Sequence, residues 1–493
     1  DLPTGMPSYS NNWKITPSLN LNYKTEKLNI FWQSYLIRQR RLPNNEFTTR
    51  YYDNGNMTES QVAENRSQNR YNLKLGLDWN ISSNQTITLF GLYDYEWHID
   101  TTRVWYFGNQ DYQLPVRKWG FNESEGTGFT NITLQHKYRF QQAGHELNTQ
   151  FLFTKGWEDE TYNLSQDGPS PYPVIRTDRT RVLAHEYVYL LSSDYIRPLP
   201  FGRIEAGVSG RMRHMPITYT VTKDSENTAL IYNFGDWSEW DESLAGAYTN
   251  LVAEFLKTDI EAGLRAEYAA VKYEFAPNQY FTENKYDYFS LFPNVRVTFK
   301  ANRSNKISLF YNRRIDRPGE DILRIFPKYD DPELLKIGNP LLRPQFTQNF
   351  ELAHKYLWQT GSFYTSLYYK IIDDYYTRIY IQDPLHSGIT IKAYDNLGRA
   401  TNSGVEFTFD QRILKQWKLS ASANVYRNKI FSHSGQISFP LPQQYSIEER
   451  IDIPFFAKLI NQFTLPGNFQ IETTAQYFSS KNIGQGKELA RGG

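Results

Sequence analysis

The chain has 493 residues, no Cys, a formal net charge of +1 and 16% aromatic residues. This balance gives no electrostatic reason to expect nucleic acid as a partner, and the missing Cys excludes a disulfide framework or a Cys-based zinc site. No run of about 18 apolar residues is present, so no helix is expected to cross a bilayer, whereas a spanning strand needs only ~9–11 residues with alternate ones facing lipid.

The start, Asp1-Leu2-Pro3, has neither a basic stretch nor an apolar run and reads as a mature or trimmed terminus. Strict alternation follows. Trp13, Ile15, Pro17, Leu19, Leu21 and Tyr23 fall on one face of a strand, and Lys14, Thr16, Ser18, Asn20 and Asn22 on the other. After a turn at Lys24 to Lys27, a second strand carries Leu28, Ile30, Trp32 and Leu36, and a long polar stretch reaches about Arg66. The unit then repeats, with tight turns at Ser82 to Asn84, Gln142 to His145, Pro198 to Gly202, Lys257 to Asp259, Asn302 to Asn305, Gln359 to Gly361, Lys415 to Gln416 and Pro466 to Asn468. Nine hairpins result, or about 18 strands, each ~10–15 residues long and joined by longer stretches of often ~20–30 residues. Trp13, Tyr23, Trp79, Trp97, Trp157, Trp358 and Trp417 lie near strand ends, where rings suit a lipid–water boundary. Soluble sandwiches and propellers also alternate, but their strands are usually ~5–6 residues.

The expected fold is all-β: one large antiparallel transmembrane β-barrel domain over residues 1–493. Eighteen strands ~4.8 Å apart and tilted by ~40° give a diameter near ~35 Å, too wide for side chains to fill. Lys14, Asn20, Lys74, Asp78, Glu205, Arg211, Glu261, Arg265, Glu267, Arg296, Lys300, Glu472 and Gln476 fall on the inner face, with both signs mixed. Short turns normally face the periplasm, as do both barrel ends. The first strand enters a short turn and the last leaves one, so an odd number of strands is expected before and after. The barrel is then incomplete at both ends.

From Tyr288 to Tyr356 the chain reads YFSLFPNVRVTF, YNRRIDRPGEDILRIFP and DPELLKIGNPLLRPQFTQNFELAHKY. Asn339, Pro340, Leu341 and Pro344, followed by Asn349 and Glu351, resemble a loop-to-strand junction of TonB-dependent receptors, and especially of the outer-membrane β-barrel proteins of Bacteroidetes. Asn396 and Gly398, with Gly404 and Glu406, resemble a second shared element, and Gly263 to Tyr268 a third. The resemblance covers most of the chain. It implies 22 strands in the full-length protein, an N-terminal plug and coupling to TonB–ExbB–ExbD. No plug or TonB-box-like segment is read here, and Ala490 to Gly493 replace the family's closing aromatic strand.

The eight His are dispersed without metal-ligand spacing, so no metal and no cofactor is expected. Asp330, Asp331 and Glu333 read as a solvated acidic turn in preference to a calcium loop. No catalytic motif appears, and the chain is read as a non-enzyme. Trp105, Tyr106, Tyr112 and Trp119 form an aromatic cluster assigned to a long extracellular loop, suited either to a ligand or to loop packing. Arg313, Arg314 and Arg317, with Arg324, suit an anionic ligand or lipopolysaccharide phosphate; ion pairing with Asp316, Glu320 and Asp321 is the competing reading. The main functional expectation is TonB-coupled uptake of a nutrient across the bacterial outer membrane. The alternatives are a passive or structural barrel partnered by a surface lipoprotein, and a secreted carbohydrate-active β protein.

Overall fold

The computed structural model describes residues 13–52, 55–109, 113–168, 174–223, 232, 234–276, 283–386, 388–439, 441–483, 485–488 and 491–492. Within them, 21 strands join in one antiparallel sheet. Two short pieces continue longer neighbours and one has only two residues, which leaves eighteen staves. In chain order these are β1 (Lys14–Ile15 and Ser18–Lys24), β2 (Leu28–Tyr51), β3 (Met57–Ser82), β4 (Gln85–Gly108), β5 (Arg117–Arg139), β6 (Glu146–Asp167), β7 (Ile175–Leu199), β8 (Gly202–Thr222), β9 (Trp237–Glu254), β10 (Thr258–Phe275), β11 (Glu283–Lys300) and β12 (Asn305–Asp316). The remainder are β13 (Gln345–Trp358), β14 (Gly361–Asp373), β15 (Arg399–Leu414), β16 (Trp417–Ile430), β17 (Arg450–Asp452 and Phe455–Leu465) and β18 (Phe469–Phe478). Each stave pairs with the next, and all nine expected short turns fall between successive pairs.

Register sorts the side chains into two faces. One rung runs Leu77, Leu89, Leu134, Phe151, Leu191, and another Leu309, Leu352, Leu367, Val405, Val425, Phe455. The adjacent rung, Asn29, Asp78, Thr88, Gln135, Gln150 and Ser192, is wholly polar. Its members bond laterally, as in Asn29 Nδ2 to Asp78 at 2.9 Å and Thr88 Oγ1 to Asp78 at 2.7 Å. The apolar face is exposed around the sheet, as at Leu89, Leu134, Leu191, Leu264, Leu309 and Leu367. A soluble monomer rarely exposes so continuous an apolar surface. From Ile87 to Trp97 the band spans ten residue steps, ~34 Å along the strand and ~25 Å after tilt, the thickness of an outer-membrane barrel's apolar belt.

Aromatic rings close both edges of this band. Tyr71, Tyr95 and Trp157 stack across β3, β4 and β6, with centroids 6.1 and 5.7 Å apart. Trp157 crosses β5 over Gly128, where an added Cβ would meet its Nε1 at 2.7 Å. Near the short turns lie Tyr23, Trp79, Trp358 and Trp417.

Two expectations are corrected. The polar stretch before Arg66 is not a long loop. β2 and β3 run 24 and 26 residues, and only residues 52–56 separate them. Beyond the lipid band neither face must be apolar, so period-two hydropathy fades while the ladder continues. Trp105 and Trp119 likewise belong to the upper ends of β4 and β5, not to a loop. Among the described residues no ladder joins β1 to β18, and both strands are exposed along nearly their whole length.

Candidate functional site

The core does not lie in the middle of the barrel. It sits at the long-loop mouth, where the chain between β12 and β13 leaves the wall and folds inward. This insert carries the one-turn helix α1 (Glu320–Leu323) and a strand at Leu334–Lys336. That strand pairs parallel with Thr390–Asn396, which pairs antiparallel with Tyr376–Gln382. A further hairpin, His433–Ile437 with Gln443–Ile447, joins them. Ile325, Phe326, Leu335, Ile337, Ile379, Ile391 and Phe439 are buried against Val104, Tyr106, Trp119, Ile217, Tyr219 and Tyr273 of the wall. The wall's upper inward face turns apolar because these segments, and not water, cover it.

Polar anchors then tie the insert to both sides of the mouth. Arg50 on β2 binds Asp331 at 2.7 Å and Glu333 at 2.8 Å. Tyr106 Oη on β4 donates to Asp331 at 2.7 Å. On β6, Glu158 accepts two bonds from Arg324 (3.0 and 3.1 Å), and Glu160 accepts from Lys328 at 2.8 Å. On β11, Asn284 Nδ2 donates to the Pro340 carbonyl at 2.6 Å. Burial opposes the charge on Arg324, but Glu320 and Glu158 outweigh it and hold the guanidinium well above its ordinary pKa. Burial raises the Glu333 carboxyl, with Arg50 and Arg117 only partly offsetting it.

Between insert and wall lies a cavity of about 360 Å³, lined by Glu158, Glu320, Arg324, Lys328, Lys336 and Lys392 among others. Burial and the neighbouring charge of Lys336 lower the Lys392 ammonium pKa. Three apolar grooves of 380–500 Å³ on the outer band, such as that between Phe407, Ala423, Leu459 and Tyr477, face the lipid instead.

The motif residues form the joint where the insert returns to the wall. Asn339 Nδ2 donates to the Tyr394 carbonyl at 2.8 Å, while its Oδ1 accepts from Leu341 N. Asn396 Oδ1 accepts from Arg343 N, and its Nδ2 donates to the Arg343 and Asp374 carbonyls. Two sequence-distant segments are thus closed by backbone-directed amides. Gly338 makes the joint possible, because an added Cβ would lie 2.6 Å from the Arg324 backbone. Pro340 presents its carbonyl to β11, Leu341 and Pro344 complete the turn into β13, and Gly398 takes φ +75° at the start of β15. Glu351, Gly404 and Glu406 lie within the barrel wall: Glu351 accepts from Tyr364 Oη at 2.6 Å, and a Cβ at Gly404 would meet Tyr426 and Tyr368.

The candidate ligand residues are dispersed. Tyr106 and Trp119, 0% and 2% exposed, are packed beneath the insert and do not form an exposed cluster. Trp105 alternates to the outer face, and Tyr112 lies outside the described residues. Arg313 points outward over the Phe346 ring at 4.7 Å, Arg314 is exposed, and Arg317 pairs with Glu267 on β10 and with Tyr288 Oη. Only Arg324 finds an acid of its own segment, Glu320. Asp331 and Glu333 are not a solvated turn, since Arg50 binds both. Sequence reasoning missed Arg50, Glu158 and Glu160, whose partners lie more than 160 positions away. Polar residues inside strand-like stretches were the one local signal.

Solved structures share this architecture at low identity. The siderophore receptor PiuA from Acinetobacter baumannii matches with a TM-score of 0.58 at 11% identity, over 96% of this chain and 75% of its own. The copper transporter OprC matches at 0.56 and 12%, over 98% and 70%. The alcaligin outer membrane receptor FauA from Bordetella pertussis matches at 0.52 and 12%, over 96% and 69%. No curated protein sequence matches the chain. The sequence pattern of the outer membrane protein beta-barrel family matches residues 138–493, from the fifth stave through the insert to the end, and the chain belongs to that family.

Proposed function

We propose that this chain is the wall and gated mouth of an outer-membrane receptor that imports a nutrient, energised by TonB–ExbB–ExbD acting on a plug that fills the lumen. The observation that carries this reading is the insert. It covers a polar lumen, and besides its apolar packing it is anchored to opposite walls by ion pairs and single hydrogen bonds, which a ligand or a pull from below can exchange. Outer-membrane lipid and lipopolysaccharide contact the apolar band. The family resemblance implies a closed barrel of 22 strands. The solved relatives are named for alcaligin, for a siderophore and for copper, which supports import without specifying this chain's cargo.

The test is growth of the native host on limiting iron, metal or glycan sources after deletion of this gene, of the TonB gene, or of both. The expected result is one shared defect that the double deletion does not deepen. A defect independent of TonB, with a surface lipoprotein co-purifying in stable ratio from detergent, would replace this reading with a structural barrel subunit.

A further inference from the structure

The inner wall beneath the insert carries a charge arrangement that the anchors leave unbalanced. On β4, β5 and β6, register sets Asp100 opposite Glu123 and Glu125 opposite Glu160. Like charges directly opposed across a ladder are destabilising, and here two such pairs stand side by side on a covered surface. His98 is the direct cross-strand partner of Glu125. The ligand atoms of His98, Asp100 and Glu123 all lie within 4.8 Å of one another, as do those of Glu123, Glu125 and Glu160.

The surrounding cations are largely committed. Arg66 is bidentate to Asp100, and Arg70 serves Asp94 and Glu96. Lys328 meets Glu160 through Oε1 alone. The Tyr162 hydroxyl lies 2.9 Å from Glu123 and 3.0 Å from Glu160, but has one proton to give. Glu123, Glu125 and Glu160 therefore share one ammonium, with the His98 imidazole beside Glu125. Independently, one carboxylate oxygen aimed into the cluster is buried and unpartnered: Glu160, 1% exposed, has no hydrogen-bond partner at Oε2. The nearest group to His98 is the Glu125 carboxylate, 3.0 Å from Nε2.

We infer that His98, Glu123, Glu125 and Glu160 hold a first-row divalent cation on the inner wall, directly below the insert's Lys328. One imidazole with carboxylates suits Mn2+ or Zn2+ better than Ca2+ or Mg2+, which take oxygen ligands. Within each of the two groups, donor separations of up to 4.8 Å exceed those of an occupied site only by small side-chain rotations, and Glu123 is common to both. Lys328 and the cation share Glu160, so they compete for it, and metal occupancy thereby weakens one anchor of the insert.

The test uses the full chain, folded in detergent, stripped with chelator and titrated with MnCl2, with bound metal read by equilibrium dialysis and by the Mn2+ paramagnetic resonance signal. One Mn2+ per chain is expected, with weaker binding of Ca2+. Glu123→Gln and Glu160→Gln should each weaken binding at least tenfold, His98→Ala should remove the nitrogen coupling from the resonance, and Lys328→Met should tighten binding. Asp410→Asn, elsewhere on the inner wall, should change nothing. Heat-modifiable gel migration confirms that each variant is folded. Folded chain that takes up no Mn2+ or Zn2+, or that binds equally well in the Glu123→Gln and Glu160→Gln variants, overturns the inference.

Discussion

Arg324 shows how a single side chain decides the state of the mouth. Its guanidinium is mostly buried and held by Glu158 of the wall and Glu320 of its own turn. Replacing it by Met leaves two carboxylates without a counter-charge, and breaking a buried pair by removing one partner costs ~3–5 kcal/mol. Arg324→Met should therefore undock the insert, read as a large rise in amide exchange over residues 317–344 with the barrel ladder unchanged. Glu333 gives a pH dependence. Burial raises its folded pKa above the unfolded value, so the docked state binds the proton more tightly. Its contribution to docking is greatest below the ordinary carboxylate range and falls as pH rises through the raised value. Limited proteolysis of the insert should accordingly slow as pH drops from 7 toward 5, and Glu333→Gln should flatten that dependence. Neither residue was legible as an anchor in the sequence. Asp331 and Glu333 sit in a charged local stretch that looks solvated, and their partner Arg50 is 281 and 283 residues away.

At the scale of elements, the staves were readable wherever they cross lipid and unreadable above it. Lipid on one side and water on the other force period two onto the outer face. The upper ends of β2 to β8 stand clear of lipid, and there the ladder is kept by backbone hydrogen bonds that leave no hydropathy mark. The aromatic edge is similarly explicable: Tyr71, Tyr95 and Trp157 touch because Gly128 leaves β5 low between them. Gly128→Val should displace Trp157 and destabilise the barrel by ~1–3 kcal/mol, as overpacking does, measured by denaturant unfolding in a bilayer. The family motif belongs to this scale as well. Asn339 and Asn396 were recognisable by resemblance, while their role in fastening the insert to β13 and β15 emerged only from their contacts with Tyr394, Arg343 and Asp374.

For the whole molecule, the balance is between a lipid-solvated exterior and a polar lumen closed at one end. Ile132, opposite Gly91, lies on the apolar face near the middle of the band, and Thr88 faces inward. Ile132→Arg should lower stability by ~2–4 kcal/mol, the cost of Arg at the bilayer midplane. Thr88→Arg should change it little, so the two substitutions compared in one unfolding assay establish which face meets lipid. The all-β class, the nine hairpins, the alternation of faces and the width that leaves a lumen are legible in the amino-acid order, because each follows from local periodicity and turn chemistry imposed by the bilayer. How that lumen is closed and which charges meet there are set by the folded molecule. The insert's anchors, the burial of Tyr106 and Trp119, and the gathering of His98 with Glu123, Glu125 and Glu160 depend on strand register and on contacts between distant segments, and no local pattern encodes the register of one stave against another.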